Sequence, residues 1–552
     1  MSLLVSEDSP LEGTGLADQP QRYATSGTTS SQTYTLAYPY TGDYRIDALL
    51  EGAPGEIGLG ALDYRWNVPA AAGTATRVTY SFATAAPVYG GNVDASTGDS
   101  GFQRFTEQQK TAVRQIMGQL SQELGLDLVE VLDGFSMYGQ IRFGNNYQDL
   151  STGYSWLPYS TPDDRSGDVW IDITPESSTY PVNPNLRDLS PGSAGYGTLV
   201  HEIGHALGLK HPGDYNAGSG GSGLPGNYLG SAEDNETYTV MSYTAAPTGG
   251  QQRDWYGLYD LLALKFLYGS RDYNAGDTVY SYTDASGRLL KIIDDGSGFD
   301  TIDISGVSSA GNRVIDMRPG AFSSVGVNGA VKAVKNLSID FSTIVEKFIG
   351  TPYADSVTGN QANNLLVLGL GANTADGGGG IDTVQYGASR GSYSVSGNGS
   401  SLQVTGGSVS DTLSNVERLA FTDGKLAFDL GGNAGIAAKI LGAVFDAPAI
   451  ANAGYVGIGL SYLDAGTSYQ DLMTFALDAR LGGARSNAQV VDLLYANVAG
   501  VAPTADQAAP YVAQLNSGAL TQGALGVFAA ETAENAAQIN LVGLAQTGIP
   551  YA

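Results

Sequence analysis

The sequence HEIGHALGLKH, from His201 to His211, sets the organisation of this chain. His201 and His205 are four residues apart, so on a helix both imidazoles project from one face within reach of one metal ion. Gly208 follows where the helix would end, because a residue without a Cβ atom readily takes the left-handed conformation that reverses the chain. The reversal would bring His211 back as a third ligand. Three neutral imidazoles leave one coordination position open for water, which is typical of catalytic rather than structural zinc.

Glu202 follows the first histidine and is placed to accept a proton from water at the open position, as a general base. The alternative interpretation is an amphipathic helix whose histidines lie on its surface or in the core. The chain of 552 residues contains three histidines, and all three belong to this motif. A sequence that uses histidine nowhere else favours one catalytic Zn²⁺ ion over packing.

A second motif, TVMSYT, places Met241 and Tyr243 downstream of the third histidine. With it the chain resembles the serralysins, a family of metzincin metalloproteases whose zinc helix reads HEIGHxLGLxHP and whose turn reads MSY. The match includes Pro212 and continues into GDYNAG at 213–218. The resemblance implies that Met241 forms an apolar floor beneath the metal. It also implies that Tyr243 ligates zinc in the resting enzyme and moves away to stabilise the oxyanion during turnover.

Composition excludes several functions. The net charge of −28 argues against a nucleic-acid partner, since phosphates require a basic surface. The chain has no cysteine, which excludes disulfides and any latency in which a thiolate caps the zinc. Residues 1–15 lack the basic and apolar regions of an ordinary signal peptide, and no apolar run reaches the ~18 to 20 residues that span a bilayer. Alone, these features would indicate a cytoplasmic protein.

The first half of the chain predicts a leader and a catalytic domain. Residues 1–60 are polar and acidic and predict a flexible leader, either an ordinary disordered tail or a short prosegment. Residues 61–270 predict an α+β domain, metzincin-like by the resemblance, with a strand over 75–84 and a helix that starts with a capping box at Thr106. In the family order, the segment 153–158 is the edge strand over the cleft, which would bind an extended polypeptide by strand addition.

A nine-residue period follows. The segments GTPYADSVT, GNQANNLLV, LGLGANTAD and GGGGIDTVQ run consecutively over 350–385, and the last matches GGxGxDxUx at every fixed position. Each has Asp or Asn at position six and an apolar residue at position eight. The period predicts a parallel β-roll of RTX type over 271–432, in which the turns bind several structural Ca²⁺ ions and position eight fills the interior. A glycine-rich linker, the alternative, does not place an apolar residue every nine positions.

The predicted calcium ligands combine carboxylates with glycines of the tight turns. They are Asp295, Asp300, Asp355, Gly377, Gly379 and Asp382. Asn364 and Asn373 occupy carboxylate positions, which predicts fewer or weaker ions than a regular array holds. Without calcium, the facing carboxylates would repel and the roll should loosen.

Residues 433–552 are rich in alanine and predict a small, mostly α-helical C-terminal module that serves secretion or attachment. The serralysin resemblance implies export by type I secretion machinery, which needs no cleaved N-terminal signal, so we expect an extracellular protein. The whole sequence predicts a secreted, monomeric, zinc-dependent endopeptidase of polypeptides. The alternative is a calcium-binding protein of the cell surface or surface layer with an inert zinc site.

Overall fold

The computed structural model describes residues 41–50, 64–87, 100–134, 137–148, 152–158, 165–173, 187–215, 227–309, 313–398 and 401–552. Their contacts form two compact units. The first holds the described residues up to 278 together with 282–298 and 319–344, and the second holds the remainder up to Ala552. The predicted division at residue 271 is therefore not followed, because strands from the predicted roll region pack with the first unit. The predicted helical module clusters with the roll in the second unit.

A six-stranded mixed sheet organises the first unit. Its strands are β1 (Thr76–Phe82), β2 (Ser100–Gln103), β3 (Leu126–Glu130), β4 (Ile141–Tyr147), β5 (Gly153–Ser155) and β6 (Val169–Asp172). Their order is β3-β1-β4-β6-β5, with β2 paired to β4 outside this path. The pairs among β3, β1, β4 and β6 are parallel, whereas β5 is antiparallel to β6. The short β5 is therefore the last strand at one end of the sheet among the described residues.

Four α-helices lie in the described part of this unit. They are α1 (Tyr44–Asp47), α2 (Glu107–Glu123), α3 (Ala194–Ala206) and α4 (Leu258–Tyr268). The predicted capping box of α2 is present, since Thr106 and Gln109 each accept a hydrogen bond from the other's backbone N–H. The apolar stripe of α2 and the inner face of α3 lie in one core, which holds the zinc motif against the sheet.

Residues 41–50 are folded, although the sequence analysis placed them in a flexible leader. Asp43 caps α1 and pairs with Arg45 at 2.5 Å. Ala48, Leu49 and Leu50 are at most 2% exposed and belong to the core of the first unit. Burial of these apolar side chains stabilises the folded segment. The polar composition of the surrounding sequence predicted a flexible leader instead. The other residues of the predicted leader, 1–40 and 51–60, lie outside the described residues.

Short strands occupy 252–344. They are β7 (Gln252–Arg253), β8 (Val279–Thr283), β9 (Leu289–Ile293), β10 (Thr301–Gly306), β11 (Arg313–Asp316), β12 (Phe322–Ser323), β13 (Val327–Asn328), β14 (Val331–Lys332) and β15 (Leu337–Ile339). Four of them form a sheet of order β12-β15-β9-β7 in the first unit, and β13 and β14 form a hairpin. The strand β8 lies next to β10 at the end of the eight-stranded roll sheet, and β11 lies at the end of the six-stranded one.

The β-roll prediction is confirmed by the remaining strands. These are β16 (Lys347–Ile349), β17 (Asp355–Thr358), β18 (Leu365–Val367), β19 (Thr374–Asp376), β20 (Thr383–Gln385), β21 (Ser394–Asn398), β22 (Ser401–Gly406), β23 (Val409–Ser414), β24 (Arg418–Phe421) and β25 (Gly424–Ala427). Successive strands β16 to β20 alternate between two parallel sheets. In register, Leu365 faces Thr383 and Ser356 faces Thr374, so two nonapeptides make one turn. The position-eight residues Val357, Leu366, Ala375 and Val384 are at most 2% exposed and fill the interior.

The predicted C-terminal helical module is also present. Its helices are α5 (Asn433–Phe445), α6 (Ala453–Asp464), α7 (Tyr469–Leu481), α8 (Asn487–Ala499), α9 (Ala505–Ser517), α10 (Gln522–Ala530), α11 (Ala533–Gln538) and α12 (Leu541–Thr547). The chain then returns as β26 (Ile549–Tyr551), which pairs antiparallel with β25 and extends the roll sheet. Among the described helices, none combines the length and the apolar character that crossing a membrane requires.

Candidate metal centre and active site

The zinc motif folds as its spacing predicts. His201 and His205 lie one turn apart on α3, and Gly208 follows the helix with φ +105°. A Cβ atom at Gly208 would lie 2.4 Å from the carbonyl oxygen of Tyr64, so this turn requires glycine. The reversal returns His211 so that its Nε2 atom lies 3.1 Å from Nε2 of His205 and 3.3 Å from Nε2 of His201.

Backbone carbonyls determine the tautomer of each imidazole. The Nδ1 pairs are His201 with Val240 (2.8 Å), His205 with Leu209 (2.7 Å) and His211 with Tyr215 (3.2 Å). A carbonyl oxygen can only accept, so each Nδ1 carries the hydrogen and each Nε2 presents a lone pair. Three lone pairs that face one another can ligate one cation. Nitrogens ~2.0 to 2.1 Å from tetrahedral zinc would lie ~3.3 Å apart, so the spacing fits zinc.

The protonation states of two of these histidines also favour metal binding. Burial lowers the pKa of His201 to about 4 and lowers the pKa of His205 well below its usual value. Both imidazoles are therefore neutral near pH 7. Within the described part of the chain, the three histidines form a cluster whose ligand atoms all lie within 4.8 Å of one another.

Glu202 follows the first histidine on α3 and lies against the edge strand β5. The residue is 5% exposed, and burial raises the pKa of its carboxyl group to about 8. Its Oε2 atom is buried without a hydrogen-bond partner among the described residues. A Cβ atom at Gly153 of β5 would lie 3.1 Å from Oε1, so the glycine lets the edge strand approach this carboxylate. A buried polar atom without a protein partner is a position for water.

Met241 and Tyr243 both lie beside the histidines. Met241 is fully buried, and its sulfur would lie 2.9 Å from a Cβ atom at Gly204 of α3. The ring of Tyr243 lies 4.5 Å from the ring of His211, between centroids, and the side chain is 51% exposed. Burial of its hydroxyl and the nearby Glu202 raise the pKa of Tyr243 to about 12, so the phenol remains a donor at neutral pH.

Three supporting residues escaped the sequence analysis. Asp260 of α4 is fully buried and accepts from the Val240 amide at 2.7 Å, which anchors the backbone of the residue whose carbonyl oxygen pairs with Nδ1 of His201. Tyr215 orients His211 through its carbonyl, and its hydroxyl donates to Asp234 at 2.7 Å. The bonds of Asp260 to Val240 and of Tyr215 to Asp234 join residues about 20 positions apart, so no local pattern indicates them.

The predicted calcium ligands separate into different surroundings. Asp382 is 1% exposed; its Oδ1 accepts from the Asn364 amide at 2.7 Å, and its Oδ2 has no partner among the described residues. Burial raises the pKa of Asp382 to about 8. A Cβ atom at Gly377 would lie 2.5 Å from that Oδ2, so this glycine of the turn approaches the carboxylate closely. Gly379 lies in the same turn and donates to the Asn360 carbonyl at 2.8 Å.

Asp355 has protein partners instead. It accepts from the Thr351 amide at 2.8 Å, and Arg313 lies 3.5 Å from its Oδ1 atom. Asp295 and Asp300 are buried but belong to different units, Asp295 to the first and Asp300 to the second. The structure therefore brings Gly377 and Asp382 together, whereas Asp355 already has the cationic Arg313 beside it.

The sequence has clear relatives. A family described as Peptidase M10 serralysin C terminal matches residues 264–425. Serralysin of Proteus mirabilis is 34% identical over 336 residues, which cover 55% of this chain and 63% of the relative. Metalloprotease AprA of Pseudomonas entomophila (strain L48) is 31% identical over 313 residues, 52% of this chain and 60% of the relative. Serralysin C of Dickeya chrysanthemi is 39% identical over 194 residues, 32% of this chain and 38% of the relative. The chain thus spans less than two thirds of the length of these relatives.

Proposed function

We propose that this chain, which its sequence matches identify as serralysin-type, is a zinc-dependent endopeptidase of metzincin-like fold that hydrolyses polypeptides outside the cell. One observation carries the proposal. Three Nε2 lone pairs converge beside a buried glutamate whose Oε2 atom has no partner within the described residues. That combination provides a cation site and a position for water. A cation bound to the histidines would lower the pKa of the nearby Glu202 carboxyl group, which could then accept a proton from the water.

The chemistry divides between the metal and the chain. Zinc held by His201, His205 and His211 would polarise the scissile carbonyl and lower the pKa of a water molecule. Glu202 accepts a proton as the water oxygen bonds to the carbonyl carbon, and it delivers that proton to the amine nitrogen as the C–N bond breaks. The Tyr243 hydroxyl donates a hydrogen bond to the oxyanion that forms. We also propose that Tyr243 ligates zinc in the resting enzyme.

The edge strand supports a polypeptide substrate. β5 presents backbone groups on the side away from β6, and Gly153 lies against Glu202. An extended peptide paired with this edge would place its backbone beside the proton acceptor. Side-chain pockets would then set the preference among substrates, while the backbone pairing accepts any sequence.

Calcium completes the proposal. We assign the best-supported Ca²⁺ position to the turn that contains Gly377 and Asp382, because the buried Oδ2 atom of Asp382 has no partner within the described residues and Gly377 approaches it closely. Asp295, Asp300 and Gly379 are proposed as further ligands. Export by type I secretion machinery, a monomeric state, and secretion or surface attachment by the helical module are likewise proposed, from the resemblance to serralysins.

The test compares wild type with Glu202→Gln, and with Glu107→Gln as a matched control at an exposed carboxylate of α2. Each protein receives zinc and calcium, and hydrolysis of unfolded casein is measured beside bound zinc. We expect Glu202→Gln to retain zinc and to lose at least ~100-fold in activity, the lower range for a general base. More than a few per cent residual activity would remove Glu202 from this role. Inactive, zinc-loaded wild type would favour the surface calcium-binding alternative.

A further inference from the structure

Lys210 lies between the second and third histidines and joins three segments of the first unit. An ammonium group has three N–H donors, and here they reach the backbone carbonyls of Ala48 (2.7 Å), Asn227 (2.9 Å) and His211 (3.0 Å). The nitrogen also lies 4.6 Å from the centroid of the Tyr228 ring, within cation–π range. The side chain is thus engaged on every side, unlike an ordinary surface lysine.

Backbone contacts reinforce the connection to the N-terminal segment. The Lys210 amide donates to the Leu49 carbonyl at 2.8 Å, and Leu50 forms an antiparallel bridge with Leu209. Leu209 is also the residue whose carbonyl accepts from Nδ1 of His205 at 2.7 Å. Residues 48–50 therefore hold the Leu209–Lys210 peptide unit. The carbonyl of this unit orients His205, and Lys210 directly precedes His211.

The N-terminal segment has its own attachments. The Arg45 guanidinium lies 4.4 Å from the centroid of the Phe341 ring, and the Tyr44 hydroxyl donates to Glu233 at 3.1 Å. On the other side of the ligand loop, the Leu229 amide donates to the Pro212 carbonyl at 2.8 Å. The loop that carries His211 is thus held between two independently fixed chain segments.

We propose that Lys210 and residues 41–50 are positioning elements of the metal centre, which hold the 209–211 backbone so that His211 meets the two helical ligands. The inference rests on the proposed zinc site. It follows that any processing of a leader leaves residues 48–50 in place, because their removal would take away the Ala48 and Leu49 carbonyls that accept from the Lys210 ammonium and amide. Loss of an outer partner of a metal ligand typically costs ~10 to 100-fold in metal affinity.

The test uses the full chain with Lys210→Met, which keeps an apolar stem and removes all three donors. Lys110→Met is the matched control, since Lys110 lies on α2 and pairs with the exposed carboxylate of Glu107. Zinc affinity is measured by competition with a chromophoric chelator in calcium buffer, with the melting temperature of the zinc-free protein recorded alongside. We expect a ~10 to 100-fold loss for Lys210→Met and less than ~2-fold for the control. Affinity equal to wild type would overturn the proposal.

Hydrogen exchange supplies a readout that general destabilisation does not reproduce. Because coupling between two sites is reciprocal, zinc should slow amide exchange over residues 44–50 in wild type. The slowing should disappear in Lys210→Met. If zinc does not change the exchange rates of residues 44–50 in wild type, the inference is wrong even if the variant binds zinc weakly. Failure of wild type to bind zinc would instead refute the proposed function, so the two failures are distinguishable.

Discussion

Asn373 occupies a position where a regular repeat has a calcium-binding aspartate. Replacing Asn373 by aspartate tests whether hydrogen bonds from its side chain take the place of a calcium ion in the roll. The Asn373 side-chain amide donates to Oδ1 of Asp411 at 2.8 Å, and its oxygen accepts from the Asp355 amide at 2.9 Å. Asn373 and Asp411 are 1% and 0% exposed. The uncharged Asn373 side chain thus connects two buried acidic residues, Asp355 and Asp411. Arg313 lies beside Asp355.

The substitution would bring two carboxylates ~3 Å apart. At an effective dielectric constant of ~20, their repulsion is about 5 kcal/mol. Protonation of the pair limits the cost, and burial already raises the pKa of Asp411. We therefore expect Asn373→Asp to destabilise the second unit by ~3 to 5 kcal/mol at pH 7 in chelator. Calcium should restore much of this loss, because the two carboxylates would then form a cation site.

The assay is urea unfolding followed by circular dichroism, in chelator and in excess calcium. Asn415→Asp is the matched control, because Asn415 donates to Oδ1 of Asp376 at the same 2.8 Å but in an exposed position. Screening by water should keep its cost below about 1 kcal/mol. A cost below about 1 kcal/mol for Asn373→Asp in chelator would refute the reasoning, since it would show that the buried edge tolerates facing charges.

Three further perturbations test the first unit. Tyr215→Phe removes the hydroxyl that bonds to Asp234 but keeps the ring near His211. We expect kcat/KM to fall ~10-fold with zinc affinity nearly unchanged. A parallel loss of zinc affinity would contradict this expectation. Gly208→Ala should cost at least ~2 kcal/mol and weaken zinc binding, because of the positive φ and the short approach to a carbonyl; thermal unfolding and zinc titration check it. Glu123 is buried with its pKa raised to about 8. The unfolded chain releases this proton near pH ~4.5 while the folded chain retains it, so wild-type stability falls as pH rises from ~4.5 to 8. Glu123→Gln should therefore gain ~4 to 5 kcal/mol relative to wild type across that window, and a pH-independent difference in denaturant unfolding would exclude the effect.

Local sequence patterns predicted the histidine cluster and the β-roll. The spacing of His201, His205 and His211 describes one helical turn and one reversal, and both depend on residues within a few positions of each other. The nine-residue period likewise records a structure in which each strand repeats the last, so the interior positions were predictable before any coordinates. In both cases the chemistry and the geometry belong to the same short stretch.

Other features depend on contacts between distant segments. The burial of residues 41–50, the attachment of Lys210 to Ala48 and the pairing of β26 with the roll sheet join parts of the chain that no local pattern relates. The polar surroundings of 41–50 therefore predicted flexibility where the structure shows a packed segment.

The sequence alone predicted the three histidines as metal ligands, Glu202 as the proton acceptor and the existence of the roll, because residue type and spacing indicate them within single helices and repeats. Tertiary structure decided which carboxylates have protein partners and which have buried oxygens left for a cation. It also decided which distant groups fix the backbone around the histidines: Asp260 at Val240, Asp234 at the Tyr215 hydroxyl and the Ala48 carbonyl at Lys210.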